Sequence, residues 1–311
     1  MELAHVFNQM VIFFVIAAVG FTCAKLGYIG KETQNSFGKL LLNVTLPCMI
    51  VASVEGVNPS NLGNQALLVF VLGVAQYFML LAAGFAFNVL LRTKKAQRPM
   101  YLFMSVCTNT GFIGLPVATA IFGNNVAVLC SIFVVALSLP FYCLAPSLLT
   151  EGSSQSLGAR LVHGMRMAIN PPFVSALAAL ALAFSNITLP EAVMGSAQMI
   201  GNVTAPLAMM LVGSIVAEMN LREALREWRM YPFIVIRQIL APLGAYALLA
   251  PFVGDAVILG IFVIMFAMPT GSLASSFAFE YGADHKLAAQ GTVLSTIASF
   301  PIVPLLAAFI A

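Results

Sequence analysis

One short motif occurs twice in this chain, at equivalent places in its two halves. Asn-Val-Thr-Leu-Pro at 43–47 returns as Asn-Val-Thr-Ala-Pro at 202–206, which is 159 residues further on. Two weaker echoes follow in the same order and at nearly the same offset: 109–111 with 269–271, and 138–140 with 299–301. The pattern predicts two copies of a unit of roughly 150 residues. We place these copies at residues 1–149 and 162–311.

The composition excludes an ordinary soluble domain. Hydrophobic residues make up 61% of the chain and charged residues only 8%, whereas a soluble domain has about 25% charged residues. Apolar stretches of about 20 residues, long enough to cross a bilayer, recur along the whole length. We therefore expect an all-α integral membrane protein with the lipid bilayer as its surroundings. No nucleic-acid partner or cofactor is expected. No metal site is expected either, because the five cysteines show no zinc-ligand spacing.

The apolar stretches predict ten transmembrane spans, which we number in chain order. Their approximate limits are 7–24, 37–54, 65–91, 99–122, 125–149, 165–185, 191–217, 230–250, 255–279 and 286–310. Five spans in each copy is an odd number, so the second copy enters the membrane from the opposite side. The two repeats are therefore expected to be inverted and related by a pseudo-two-fold axis in the membrane plane.

The basic residues between spans fall in alternate connections. They are Lys25, Lys31 and Lys39; Arg92, Lys94, Lys95 and Arg98; Arg160 and Arg166; Arg222, Arg226 and Arg229; and Lys286. The opposite connections, near Asn58, Asn124, Asn186 and Asp255, contain no lysine or arginine. By the positive-inside rule the basic connections are cytoplasmic, so both termini are expected outside a bacterial cytoplasmic membrane.

Spans 4 and 9 contain residues that interrupt helices. Span 4 includes 108–116, with Gly111, Gly114 and Pro116, and span 9 includes 268–276, with Pro269 and Gly271. Proline removes a backbone donor and glycine permits conformations that end helices. A broken backbone at membrane depth must line a cavity or be buried in protein. The alternative is a purely structural one, in which each interruption is a kink whose space is filled by neighbouring side chains.

If both spans break and cross, the second half of each would direct its N-terminal N–H groups at the crossing, which makes an anion site. The groups expected there are the side chains of Asn109, Thr110, Thr270 and Ser272 and the backbone of Gly111, Pro269 and Gly271. No aspartate or glutamate lies in the interior of a span. A cation would normally require such a carboxylate, so the site favours an anion.

Other polar residues lie inside the spans. Spans 2 and 7 are expected to be kinked by Asn43, Pro47, Asn202 and Pro206. Joining helices by hydrogen bonds is the favoured role of the two asparagines, and support of the site is the alternative.

Gln76 is equally consistent with a residue that lines the pathway and with one that bonds a neighbouring helix. Arg237 lies roughly 9 Å inside span 8, at about 1.5 Å per residue. Snorkelling to the cytoplasmic face is the favoured interpretation for Arg237, and attraction of an anion at the inner mouth is the alternative.

The interruptions Asn109-Thr110-Gly111 with Gly114-Leu115-Pro116, and Pro269-Thr270-Gly271, resemble those of the auxin efflux carrier family, which includes the plant PIN proteins. The absence of a long central cytoplasmic loop resembles compact bacterial members. The resemblance implies a fold like that of bile-acid sodium symporters. Spans 1, 2, 6 and 7 would form a scaffold, often a homodimer interface, and spans 3–5 and 8–10 a moving core in which spans 4 and 9 cross.

The resemblance also implies roles for particular residues. Asn109 corresponds to the asparagine that holds the substrate carboxylate, and Pro116 and Pro269 belong to the crossover. Family substrates include auxin and small carboxylates such as malonate. Sodium-coupled relatives have a glutamate near the span 9 crossing, and no carboxylate stands between Met268 and Phe279 here.

These observations predict a secondary carrier that exports a small organic anion, and the resemblance implies elevator-type alternating access. The membrane potential, negative inside, drives an anion outward by about 2.3 kcal/mol per charge per 100 mV. Sodium- or proton-coupled uptake is the alternative, with a co-transported ion held by backbone carbonyls at the breaks. A channel is a third hypothesis. An intramembrane enzyme would need paired aspartates, a Ser–His pair or metal ligands at depth, and the spans contain none. Substrate, direction, coupling ion and oligomeric state stay open.

The predicted orientation is tested by cysteine accessibility. A cysteine introduced near Lys95 should be shielded from an impermeant thiol reagent in intact cells, while one introduced near Asn124 should be labelled. The parent chain, with its five native cysteines, provides the background labelling. The opposite pattern would show that the orientation is reversed.

Overall fold

The structure is a computed structural model. It describes residues 3–55, 59–149, 169–185, 189–219 and 221–310 and the single positions 158, 162, 166 and 187. Most of the connection between the two predicted repeats, including Arg160, lies outside the described residues.

All regular structure among the described residues is helical. The helices are α1 (Leu3–Lys25), α2 (Lys31–Leu40), α3 (Leu46–Ala52), α4 (Pro59–Leu90), α5 (Arg98–Val106), α6 (Leu115–Phe122), α7 (Ala127–Leu144), α8 (Pro146–Leu149), α9 (Pro171–Ser185), α10 (Glu191–Asn202), α11 (Thr204–Glu218), α12 (Leu221–Ala224), α13 (Met230–Ile234), α14 (Ala241–Leu249), α15 (Ala256–Phe266), α16 (Leu273–Glu280) and α17 (His285–Ile310). Three π-helical turns interrupt or begin helices, at Leu41–Thr45, Thr110–Gly114 and Val235–Leu240.

Seven helical stretches in the described part of the chain are long and apolar enough to cross a membrane. They are Val6–Lys25, Lys31–Ala52, Leu62–Leu90, Asn124–Leu149, Glu191–Glu218, Met230–Leu249 and His285–Phe309. Three shorter apolar helices are Thr110–Phe122, Pro171–Ser185 and Ala256–Phe266. The prediction of an all-helical membrane protein is confirmed, and ten inverted spans stay a prediction.

The second predicted span begins earlier than expected and is not a regular helix. It starts at Lys31 rather than near residue 37, and a π-helical turn separates its two halves. Pro47 has no N–H to donate to the carbonyl of Asn43, four residues earlier. The Asn43 side chain donates to the Lys39 carbonyl oxygen at 2.8 Å, so it bonds its own helix and not a neighbouring one.

The chain forms two compact units. The first comprises Met1–Phe70, Gly111–Val134 and Ile169–Met219, and the second comprises Val71–Thr110, Val135–Ala168 and Asn220–Ala311. Helices α4 and α7 are each divided between the units.

Close backbone contact holds α1 against α11 in the first unit. A Cβ atom at Gly213 would overlap the carbonyl oxygen of Ala17, and one at Gly20 would overlap the backbone of Met210. Small residues allow such approach between membrane helices, where packing rather than the hydrophobic effect drives association. The two glycines therefore fix how α1 and α11 pack.

The second unit is organised around α15. Every residue from Ile258 to Phe266 is buried, and a helix that is apolar and buried all round belongs to the interior of a protein. An aromatic cluster of Phe87, Tyr101 and Phe233 packs in the same unit, with ring centroids 4.7–5.4 Å apart. The end of α15 is thus surrounded by protein and not by lipid.

Gly213→Ala tests the α1–α11 packing. The added methyl group meets backbone that cannot move aside, so we expect a loss of about 1–3 kcal/mol of stability, seen as a lower thermal unfolding midpoint in detergent. Gly195→Ala is the matched control in α10, because nothing lies within 4 Å of its added Cβ and alanine has the higher helix propensity. Equal midpoints for the two variants would contradict the packing.

Candidate functional site

Two interruptions lie in the second unit, close to the predicted ones. The first falls just before Gly111, so the predicted helix breakers Gly111, Gly114 and Pro116 are themselves in helical structure. Helix α5 ends at Val106, and helical structure resumes at Thr110. Helix α15 ends at Phe266, and α16 begins at Leu273. Pro269 and Gly271 explain the second interruption. Pro269 has no N–H to donate to a helical hydrogen bond, and Gly271 has no Cβ to restrict its backbone.

The two interruptions pair with each other through their backbones. The Asn109 N–H donates to the Pro269 carbonyl oxygen at 2.8 Å, and the Gly271 N–H donates to the Cys107 carbonyl oxygen at 2.8 Å. Thr108 and Thr270 form an isolated antiparallel bridge at the centre of this pair. Each segment thus supplies hydrogen bonds that the other lost on leaving the helix.

Arg237 is buried beside this crossing. It lies in the π-helical turn Val235–Leu240 and is 1% exposed. Its Nε donates to the Ser105 carbonyl oxygen at 3.0 Å, and its Nη1 donates to the Met268 carbonyl oxygen at 2.6 Å. Its Nη2 is buried and has no hydrogen-bond partner among the described residues.

The snorkelling expected for Arg237 is wrong. Its guanidinium group points to carbonyl oxygens at the C-terminal ends of two interrupted helices, where the helix dipoles place partial negative charge. This arrangement offers the guanidinium group two hydrogen bonds inside the protein in place of solvation at the membrane surface. Its hydrogen-bond partners within the described residues are backbone carbonyls, so no carboxylate in that part of the chain neutralises its charge.

Two buried glutamines bond neighbouring carbonyls at the end of α15. The Gln76 Nε2 donates to the Met265 carbonyl oxygen at 3.3 Å. The Gln238 Nε2 donates to the carbonyl oxygens of Ala267, at 3.1 Å, and Ser295, at 3.2 Å. Of the two roles left open for Gln76, the structure therefore shows the bond to a neighbouring helix.

Thr270 is held from both sides. Its N–H donates to the Ser295 Oγ at 3.0 Å, and its hydroxyl donates to the Met104 carbonyl oxygen at 3.2 Å. The Gly271 carbonyl oxygen accepts from the Thr292 hydroxyl at 3.3 Å. These bonds fix the second interruption to α17 and to the end of α5, and they leave the Thr270 side chain without a spare proton.

Three side chains at the crossing keep unused polar groups. Asn109 is half-buried, Ser272 is half-buried, and Thr110 is buried. None of them makes a side-chain hydrogen bond to the described residues, and Ser272 does not cap α16 with its hydroxyl. One amide and two hydroxyls therefore remain available to a ligand.

The other predicted residues lie in the first unit, where Gly111 is the first residue after the division. These are Gly111, Gly114, Pro116, Asn43, Pro47, Asn202 and Pro206. Of these, Asn202 lines a cavity of about 320 Å³ with Glu55 and Gln198, whose side chains are hydrogen-bonded to each other. Among the described residues, no three His, Cys, Asp or Glu side chains come together as a metal site.

Sequence reasoning missed Gln238, Thr292 and Ser295. A signal for the last two was present, because span 10 carries hydroxyl residues at positions i, i+3, i+4 and i+7, which share one helix face: Thr292, Ser295, Thr296 and Ser299. Gln238 could have been recognised as a second polar residue beside Arg237 in an apolar span.

Comparison with known proteins places the chain in a family of membrane transporters. A profile described as "Membrane transport protein" matches residues 5–157 and 160–307. An uncharacterized transporter of Methanothermobacter thermautotrophicus is 24% identical over 295 residues, which is 94% of each chain. An uncharacterized transporter of Methanocaldococcus jannaschii is 21% identical over 309 residues, or 96% of each chain. The chain therefore belongs to the membrane transport protein family, the auxin efflux carrier family that its motifs resemble, and it is a transporter and not an enzyme.

Proposed function

We propose that this transporter exports a small organic anion, either an auxin-like monocarboxylate or a dicarboxylate, through the crossing in its second unit. The observation on which the proposal rests is the guanidinium group of Arg237, buried at the crossing without a carboxylate partner in the described part of the chain. A buried charge normally requires a counter-charge. An anionic substrate would supply it.

The polar groups around this charge also suit an anion. The unused groups are the Asn109 amide and the hydroxyls of Thr110 and Ser272, all of which can donate to a carboxylate. Hydrogen bonds to a charged group contribute about 1.5–3 kcal/mol each. A cationic substrate would meet a fixed positive charge and no side-chain carboxylate between Met268 and Phe279.

Asn109 is the residue best placed to hold the carboxylate. Its backbone N–H is bonded to Pro269, so its position is fixed before a substrate arrives. Its side-chain amide is half-buried and free of partners in the described residues. A donor fixed in advance loses less conformational freedom on binding and so binds more tightly.

We further propose that ten spans form two inverted repeats, at 1–149 and 162–311, and that transport follows an elevator-type mechanism. The repeated motifs, the alternating basic connections and the resemblance to auxin efflux carriers support this. In it, spans 1, 2, 6 and 7 form a scaffold, spans 3–5 and 8–10 carry the substrate, and the scaffold forms a homodimer. All contacts of Arg237, Thr270 and Gln76 described above lie within the second unit. An elevator mechanism requires this, because the substrate site must move as one body.

The proposed direction is export from the cytoplasm. The proposed location is the plasma membrane, with both termini outside. An anion leaves a cell whose interior is negative without another energy source. Uptake coupled to sodium or a proton is the alternative, and flux measurements with and without these ions separate the two.

Asn109→Ala tests the site. We expect roughly a ten- to hundredfold loss of affinity for the substrate, because one hydrogen bond to a charged group is removed. Purified protein in liposomes is first screened with indole-3-acetate, malonate and other carboxylates, and calorimetry then gives the affinity of wild type and variant for the carboxylate that is transported.

Asn64→Ala, at an exposed position in α4, is the matched control and should bind as wild type does. Asn109→Asp should bind more weakly than Asn109→Ala, since it adds a negative charge beside the anion. Unchanged affinity in a stably folded Asn109→Ala would move the substrate away from the crossing.

A further inference from the structure

The carbonyl oxygens at the C-terminal ends of the two interrupted helices are occupied by side chains of this chain. Arg237 bonds those of Ser105 and Met268, Gln238 bonds that of Ala267, and Gln76 bonds that of Met265. Carbonyls left free at a helix end carry partial negative charge. Where half-helices end inside a membrane, such carbonyls are natural ligands for a monovalent cation.

We propose that Arg237 is a tethered counter-cation, whose guanidinium group takes the place that a mobile monovalent cation would hold at these carbonyls. It follows that the carrier moves its anion without a co-transported inorganic cation, and that removal of the Arg237 charge uncovers a cation site. The part of this inference that concerns co-transport rests on the proposed function, namely transport of an anion. The cation site itself does not depend on which substrate is carried.

The chemistry of arginine suits this role. A guanidinium group stays charged in proteins, and its planar fork reaches two acceptors at once, as it does here between Ser105 and Met268. Lysine has one compact ammonium group on a flexible stem and would not reproduce the fork. The two N–H groups of the Arg237 Nη2 are buried without a partner in the described part of the chain, so those residues do not use all of its donors.

A tethered cation also changes what one cycle transports. A dissociable cation would cross the membrane with the substrate and be released, so that it adds its charge to the current. Arg237 is covalently attached and returns with the protein. The net charge moved in each cycle is then that of the substrate alone.

Flux through the wild-type protein in liposomes gives the first test. Labelled indole-3-acetate and malonate are the probes, and sodium, potassium or choline is the only added cation, at a fixed membrane potential and pH. We expect flux to differ less than about twofold between cations, with a reversal potential that matches the carboxylate alone. A requirement for sodium, or a reversal potential that includes a cation, would overturn the inference while leaving anion transport intact.

Thermal unfolding of charge-deletion variants gives the second test, and it needs no substrate. Arg237→Met and Arg237→Gln should unfold at lower temperature than wild type. Their midpoints should rise with sodium chloride, in a saturable way, and not with choline chloride at equal ionic strength. A midpoint that is the same in sodium and choline for these variants would overturn the inference.

Two controls separate a cation site from general weakening of the crossing. Ser295→Ala removes the acceptor of the Thr270 N–H and keeps Arg237, so it should be destabilised without a sodium-specific recovery. Wild type should also show no sodium-specific shift. A sodium-specific shift in either would mean that sodium binds elsewhere and would overturn the assignment to the Arg237 position.

If wild-type protein moves no carboxylate, the proposed function fails, while the sodium titration of the Arg237 variants still decides whether the carbonyls form a latent cation site. If carboxylates move but only with sodium, the proposed transport of anions holds and the tethered-cation inference is wrong.

Discussion

The backbone pairing between the two interrupted helices is the constraint on which the second unit depends. A chain that leaves helical geometry inside a membrane loses hydrogen bonds that lipid cannot replace, at a cost of several kcal/mol for each unsatisfied group. Asn109 with Pro269, and Gly271 with Cys107, restore two of these bonds. Arg237 and Gln238 bond the carbonyls of Ser105, Met268 and Ala267, and Gln76 adds a bond to the Met265 carbonyl, which also accepts from the Met268 N–H. This explains why such polar side chains lie at the centre of an apolar unit.

The positions of the interruptions could be predicted from sequence because their causes are local. Pro269 and Gly271 alter the backbone at the residue where they stand, and the motif at 109–111 marks the equivalent place in the first half. The site of Arg237 could not be predicted in this way. Depth along span 8 favoured snorkelling, but its partner Ser105 is 132 residues away in sequence, and only the fold brings that carbonyl within reach.

The supporting residues show the same limit. Ser295 and Thr292 belong to a polar helix face that sequence spacing reveals, yet their partners Thr270 and Gly271 follow from how α17 packs. The first unit gives a contrasting case. There Gly213 allows close helix contact because it lacks a side chain, but which helix meets it depends on the fold and not on the sequence nearby.

An interrupted helix offers two kinds of end with opposite electrostatic character, because its first half ends in carbonyls and its second half begins with N–H groups. In this protein the first kind is filled from within, by a guanidinium group and two amides. Around the second kind, Asn109, Thr110 and Ser272 keep polar groups without partners among the described residues. If the two proposals above hold, a covalently attached charge sets the preference for anions, and that preference does not vary with the ions in the surrounding medium. On the proposal made here, the interruption that would weaken an ordinary helix is what allows the crossing to bind a charged substrate at membrane depth.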